Sequence, residues 1–365
     1  DISSWDVRRV TDMSSMFQGS SFNQPIGNWD VSNVTDISNM FRSTPSFTPS
    51  TGKFNQPIGD WDVRNVTNMS GMFNFSSFNQ PIGNWDVSKV TDMSEMFQGS
   101  SFNQSIANWD VSNVIHMQYM FAFSAFNQPI GDWSVSKVIK MNSMFSGSYL
   151  LLISNPFNQD ISSWNVSAVT DMSSMFSFSS FNQPIGNWDV SRVTDMSELF
   201  QGSAFNQPIG NWDVSSVTDM NNMFHGSSFN KSIGDWDVSY VKNMEAMFMS
   251  SEFNQPIGNW NVLNVTDMSH MFWGAPFNQF IGDWNVGKVT DMNFMFYGSP
   301  TFNQPIGNWD VSKVTGMKRM LSECPNFNQD LSRWNVDNVL ECDSFSSLSP
   351  SWVLPKPNFT NCNPD

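Results

Sequence analysis

Basic residues are scarce in this 365-residue chain, where 17 Lys and Arg stand against 33 Asp and Glu for a formal net charge of −16. Nucleic acids and anionic membrane surfaces are recognised by clustered Lys and Arg, so the balance argues against both and leaves cations and basic partners open. No apolar run approaches the roughly 20 residues of a membrane span. No signal-peptide pattern opens the sequence at Asp1, so secretion would mean that a signal has already been removed. Histidine is rarer still, at His116, His225 and His270, and the three occupy different positions of the repeat described below. A histidine metal site or a Ser-His-Asp catalyst is therefore not expected. Phosphate-binding glycine loops, His-Glu-x-x-His and Cys-x-x-Cys are all absent, so the sequence offers no catalytic, cofactor-binding or metal residues and does not read as an enzyme. The three cysteines, Cys324, Cys342 and Cys362, lie in the last 42 residues. Their clustering predicts a disulfide-stapled terminal cap in an oxidising compartment, with the pairing open and one thiol left over or paired between chains.

What the chain does contain is one stretch written over and over, of which Phe78–Ser101, FNQPIGNWDVSKVTDMSEMFQGSS, is representative. Of 16 tryptophans, all but Trp273 and Trp352 recur as its anchor, giving 14 anchors from Trp5 to Trp334 that are mostly 24 residues apart. Self-similarity at such a period predicts a solenoid. Ile82, Trp85 and Val87 follow apolar-x-x-apolar-x-apolar, the spacing of a leucine-rich-repeat strand. Met93, Met96 and Phe97 then fall three and four apart, as on one face of a short helix, with Thr91 and Asp92 ahead of it as caps and Gly99 behind it. Pro81 lacks a backbone donor, so Phe-Asn-Gln-Pro reads as extended loop. The predicted fold class is an α/β repeat solenoid, a leucine-rich-repeat-like rod with one parallel β-sheet and short helical turns. About 14 levels at about 4.8 Å each give a length on the order of 65 Å. Columns of Trp, Phe, Val and Met fill its core, and Met enrichment is packing rather than metal chemistry.

These motifs resemble the treponemal-type leucine-rich repeats of the BspA-like surface proteins, in the FNQP…W…VTDM…MF variant. Thirteen segments carry Phe-Asn, and the resemblance spans roughly residues 1–342. It implies a secreted or surface-attached protein acting in adhesion or as a structural coat, with no catalytic residues in the repeat. Two insertions and a cysteine-bearing tail depart from the pattern.

Residues 1–342 read as one continuous repeat domain, interrupted at about 43–53 and 146–156, and 343–365 as a Pro- and Cys-containing C-terminal cap or docking arm. The first insertion, STPSFTPSTGK, suits an exposed loop. The second holds five consecutive apolar residues, Tyr149, Leu150, Leu151, Leu152 and Ile153, and reads either as a buried plug or as an intermolecular contact. The first repeat opens at Asp1-Ile2-Ser3-Ser4-Trp5 with no polar cap ahead of it. Either a cap is missing or something covers Ile2, Trp5 and Val7, and these three join Tyr149–Ile153 as self-association candidates. Sequons at Asn33, Asn65, Asn68, Asn74, Asn103, Asn165, Asn230, Asn264 and Asn358 are N-glycosylation candidates.

An acidic column follows the tryptophans at Asp6, Asp30, Asp62, Asp86 and Asp110 and again at Asp189, Asp213 and Asp237. Neighbours at that stacking distance repel by roughly 1 kcal/mol in water, which calcium or a basic ligand would relieve. Asn replaces Asp at 165, 261, 285 and 335, so hydrogen-bonded ladders are the preferred reading. The function expected is that of a non-enzymatic, glycosylated extracellular structural protein, self-associating head to tail into a filament. The alternative is a cell-surface adhesin or receptor-like module for carbohydrate or protein. A third reading, ice or calcium binding, has less behind it because the outer positions are Asp, Asn and Ser more than Thr.

Overall fold

The computed structural model describes residues 2–43 and 53–365. The chain divides into two compact units, Asp1–Pro184 and Ile185–Asp365. In the first, single parallel bridges link Asp12 to Asp36, Asp36 to Asn68, Asn68 to Asp92, Asp92 to His116, His116 to Lys140 and Lys140 to Asp171. In the second they run from Asp195 through Asp219, Asn243, Asp267, Asp291 and Gly316 to Glu341. Within each unit, then, one repeat lies on the next with the bridging residue in register.

The local structure corrects the predicted elements. Among the described residues there is no α-helix, and β pairing is confined to isolated bridges, so the chain is not an α/β rod with a parallel sheet and helical turns. The segment expected to be a strand is a pair of reverse turns, closed by Trp85 N–H donating to Ile82 O at 3.1 Å and Val90 N–H donating to Val87 O at 2.9 Å. Asp86 takes the backbone N–H of Ser88 at 3.1 Å and its hydroxyl at 2.6 Å, a local bond that competes with any ladder. The segment expected to be helical alternates two kinds of bond. Met93, Glu95, Phe97 and Gly99 donate to His116, Gln118, Met120 and Ala122 of the next repeat, while Met96, Gln98 and Ser100 donate back three residues. Glu95 sits at φ +57°, which no helix tolerates, and Gly99 at φ +63°. Successive turns bring Met93, Met96 and Phe97 inward at the same spacing that a helix would.

The interior is columns of like side chains. Trp85 stacks on Trp109 with ring centroids 6.4 Å apart, Phe73 on Phe78 at 4.0 Å and Phe78 on Phe102 at 6.2 Å. Ile82, Val87, Val90, Met93 and Met96 are buried with them. Each buried indole also needs a polar partner. Trp85 Nε1–H donates to Ile58 O of the preceding repeat at 3.1 Å, and Trp109, Trp133 and Trp236 repeat the contact. Phe-Asn-Gln-Pro contributes an amide ladder, since Asn79 and Asn103 N–H donate to Asn55 and Asn79 Oδ1 at 2.9 Å. A side chain at Gly83 would meet Ser105 O at 2.6 Å, which accounts for the small residue before the anchor; Ala107 shows that one carbon is accommodated elsewhere in that column.

Candidate functional surface

With the core filled by repeats, whatever the protein does is done by side chains that leave the columns. In unit 1 the second insertion is a hairpin. Ser148 and Ile153 exchange backbone bonds at 2.7 and 3.0 Å, and Leu152 N–H donates to Tyr149 O at 3.1 Å. Its base is fixed by Asn155, which is fully buried and donates through Nδ2 to Phe121 O at 2.7 Å. Gly147 lies so close to Phe178 O and Ile153 O that no side chain fits there. Above that base Leu150 and Leu152 are 89% and 87% exposed, and Tyr149, 5.8 Å from the Phe178 ring, is 70% exposed. Leu151 and Ile153 are also exposed, which removes the buried-plug alternative. Of the first insertion, residues 44–52 lie outside the described residues, while Ser43 is buried.

The other self-association candidates differ among themselves. Val7 is buried, Ile2 is half-buried and accepts Trp29 Nε1–H at 3.1 Å, and Trp5 is 54% exposed while stacked on Trp29 at 6.5 Å.

Residues 343–365 fold back on their own unit. Cys342 and Cys362 are bonded, with Cα atoms 5.9 Å apart, and Cys324 is a buried free thiol that donates to Phe296 O at 2.9 Å. Leu331 N–H donates to Pro355 O and Phe345 N–H to Pro364 O. Trp352 packs edge-on against Phe327 at 4.8 Å and Phe359 against Phe345 at 4.9 Å. The arm therefore occupies the donors and ring faces of the last repeat, as a cap does.

The acidic column is exposed but for the half-buried Asp62, and its carboxylates are served by the residue two places on, Arg8 at Asp6, Arg64 at Asp62 and a serine at Asp86, Asp110 and Asp189. Hydrogen bonds from Ser88, Ser112 and Ser191 hold Asp86, Asp110 and Asp189 below the usual carboxylate range. Repulsion from Asp86 is a smaller, opposing influence on Asp110. The thread of like charge therefore sits on a hydrogen-bonded base, and among the described residues no three His, Cys, Asp or Glu converge as a metal site would. The histidines are also apart. His116 is a bridging residue in unit 1, its Nδ1 buried without a partner, whereas His225 in unit 2 contacts Gln201 and Asn222 at 3.1 Å and is held below its ordinary pKa by burial.

The sequons fall into distinct environments. Asn33, Asn165 and Asn358 are exposed; Asn65, Asn68, Asn103, Asn230 and Asn264 are half-buried. Asn33, Asn65 and Asn264 donate through Nδ2 to Arg8, Ser32 and Ser239 carbonyls of the preceding repeat. Asn74 is fully buried, its Nδ2 shared between Glu95 and Gln98 at 2.9 Å, so the folded chain does not offer it to a glycan.

One feature of unit 2 has no counterpart among the sequence-derived candidates. His270, Trp273, Phe294 and Tyr297 form a half-exposed aromatic cluster, and its signal was in plain view, since Trp273 is one of two tryptophans outside the anchor column.

The profile of the family described as "Mycoplasma protein of unknown function, DUF285" matches residues 1–55, 48–152, 122–203, 148–228, 197–276 and 249–349. The chain belongs to the DUF285 family. These overlapping matches establish the repeat across both units of the DUF285 chain, without distinguishing the treponemal leucine-rich variant. No curated protein matches the chain. Among the described residues of this family member, no helix is long and apolar enough to cross a membrane.

Proposed function

We propose that this chain is a non-enzymatic extracellular structural protein of the BspA-like surface kind, glycosylated and working by contact. The observation that carries the reading is the Cys342–Cys362 bond, which pins the C-terminal arm over the last repeat. Disulfides of this structural kind persist in oxidising compartments, and the exposed sequons Asn33, Asn165 and Asn358 suit the same surroundings. Labelling intact cells with a membrane-impermeant biotin reagent tests it. Labelled protein is the expected result, and protein labelled only after lysis would sink the extracellular reading.

Self-association is part of the same proposal, with the apolar hairpin Tyr149–Ile153 as its contact, because two leucines held this far into water gain by burial against another surface. In light scattering, Leu150→Asp with Leu152→Asp should lower the apparent mass of any oligomer at unchanged melting temperature. A second reading, a cell-surface adhesin or receptor-like module, is favoured by the aromatic cluster of unit 2.

A further inference from the structure

The aromatic cluster occupies a place where the repeat is indifferent to side-chain identity. The third residue of each Met-x-x-Met turn has positive φ, and in unit 1 Ser15, Asn39, Gly71 and Glu95 are among the residues that fill it, with a single aromatic, Tyr119. In unit 2 the same column carries His270, Phe294 and Arg319 at φ +60°, +58° and +50° in successive repeats. Positive φ belongs to this column in every repeat, and what distinguishes this part of unit 2 is the succession of ring-bearing and cationic side chains on it.

Those side chains meet a neighbouring column. His270 stacks on Phe294 at 5.0 Å, Trp273 lies 5.4 Å from Phe294, and Tyr297 stands edge-on to Trp273 at 5.0 Å, none of the four being buried. Arg319 already lies over the Tyr297 ring, 5.9 Å from its centroid, so these rings accept a cation. Glu245 adjoins Ala246, which fills the same column one repeat before His270, and Asp291 lies three residues before Phe294; both acids are half-buried and without an ion-pair partner among the described residues. Burial first, and then the carboxylates of Asp267, Asp291 and Asp219, push Glu245 up against His270; burial first, and then Asp267, push Asp291 up against its bond from Asn293 and against His270. The charge of His270 opposes the rise at both groups without cancelling it, so these carboxylates still gain from a further cation.

We propose that this face of unit 2 binds a basic segment of a partner polypeptide, its Lys or Arg side chain lying on the Trp273, Phe294 and Tyr297 rings with its charge towards Glu245 and Asp291. Aromatic residues and Arg are the side chains that dominate protein interfaces, and the flanking acids select the sign of the partner. The inference rests on the binding reading above, and names its surface and its partner chemistry.

The test is calorimetric titration of the full chain with a short peptide of alternating Lys and Gly, the same peptide with Glu for Lys, and a neutral oligosaccharide. Two double variants accompany it, Trp273→Leu with Tyr297→Leu and Glu245→Gln with Asp291→Asn, each checked for an unchanged thermal melt. Binding of the Lys peptide alone, weakened on the order of tenfold in both variants, is expected. No binding of the Lys peptide, or binding only of the oligosaccharide, overturns the proposal. Retained affinity in either folded variant overturns it too, because the net charge alone would then account for the attraction. Where the aromatic variant fails to fold, the near-isosteric carboxylate variant decides. A chain that binds the peptide yet is never labelled at the cell surface would keep this inference and lose the extracellular reading.

Discussion

Trp212 Nε1–H donates to Ile185 O at 3.0 Å while its ring is buried, so one side chain both fills the core of unit 2 and joins two repeats. Trp212→Ala should cost about 3 to 5 kcal/mol in denaturant unfolding, as other large-to-small core changes do. Trp212→Phe keeps a ring but leaves the buried carbonyl without its donor, at about 1 to 3 kcal/mol. A loss below about 1 kcal/mol for the alanine variant would mean that the column contributes far less than its burial implies.

Acid should destabilise the chain in a definite window. The carboxyls of Asp86, Asp110 and Asp189 are held low in the folded protein by their serines, so the stabilisation is present above the unfolded value near 3.9 and is lost as pH falls through the lower folded value. Glu245 and Asp291 have the opposite sign, since a raised folded pKa favours the protonated folded state and returns stability as pH falls toward the unfolded value. Melting temperatures should hold from pH 7 to about 5 and drop below about 4. Glu245→Gln should raise the melting temperature slightly at pH 7; a fall there would show that the crowding is relieved in some other way.

The same serine bonds predict indifference to divalent metal. Thermal melts in millimolar calcium and in EDTA should coincide, because the acidic column is already hydrogen-bonded and no three ligands converge among the described residues. A calcium-induced rise in melting temperature would instead make Asp86 and Asp110 ligands.

The cysteines separate by chemistry. Cys324 is buried and its thiol is pushed up to about 12, mainly by desolvation, so it should resist alkylation until the chain unfolds. Reducing Cys342–Cys362, which are 20 residues apart, should cost about 3 kcal/mol. Mass spectrometry after alkylation should find no modified cysteine in the native protein and one in denaturant without reductant. A native adduct at Cys324 would contradict its burial.

The inward positions were legible in the sequence because stacking demands the same residue at every level, and Ile82, Trp85, Val87, Met93, Met96 and Phe97 are all buried. The elements were not, because spacing by three and four serves a chain of reverse turns as well as a helix, and the positive φ at Glu95 is written by no glycine. Indole bonds to the preceding repeat are invisible to a single-repeat reading, since the partner lies 27 residues away. At the surface, the apolar run Tyr149–Ile153 was legible as composition, but its exposure depends on Gly147 and Asn155 holding the hairpin base. Asn74 is the converse case, a sequon by pattern whose burial follows from Glu95 and Gln98 of the next repeat.

The arm that follows the last repeat carries the final prediction. Read from sequence it was a cap or a docking segment, and in the structure Pro355 O, Pro364 O, Trp352 and Phe359 are all engaged with residues 327–345 of the same chain. Removing residues 350–365 would free Leu331 N–H, uncover the Phe327 and Phe345 rings and leave Cys342 unpaired, while Phe345 N–H keeps its bond to Cys342 O. An unpaired donor beside apolar rings is an edge that recruits another chain. Light scattering under reducing conditions should therefore show the truncated chain associating more than the full one. Less association after truncation would make the arm the docking element, and would require it to leave the last repeat before a second chain could bind.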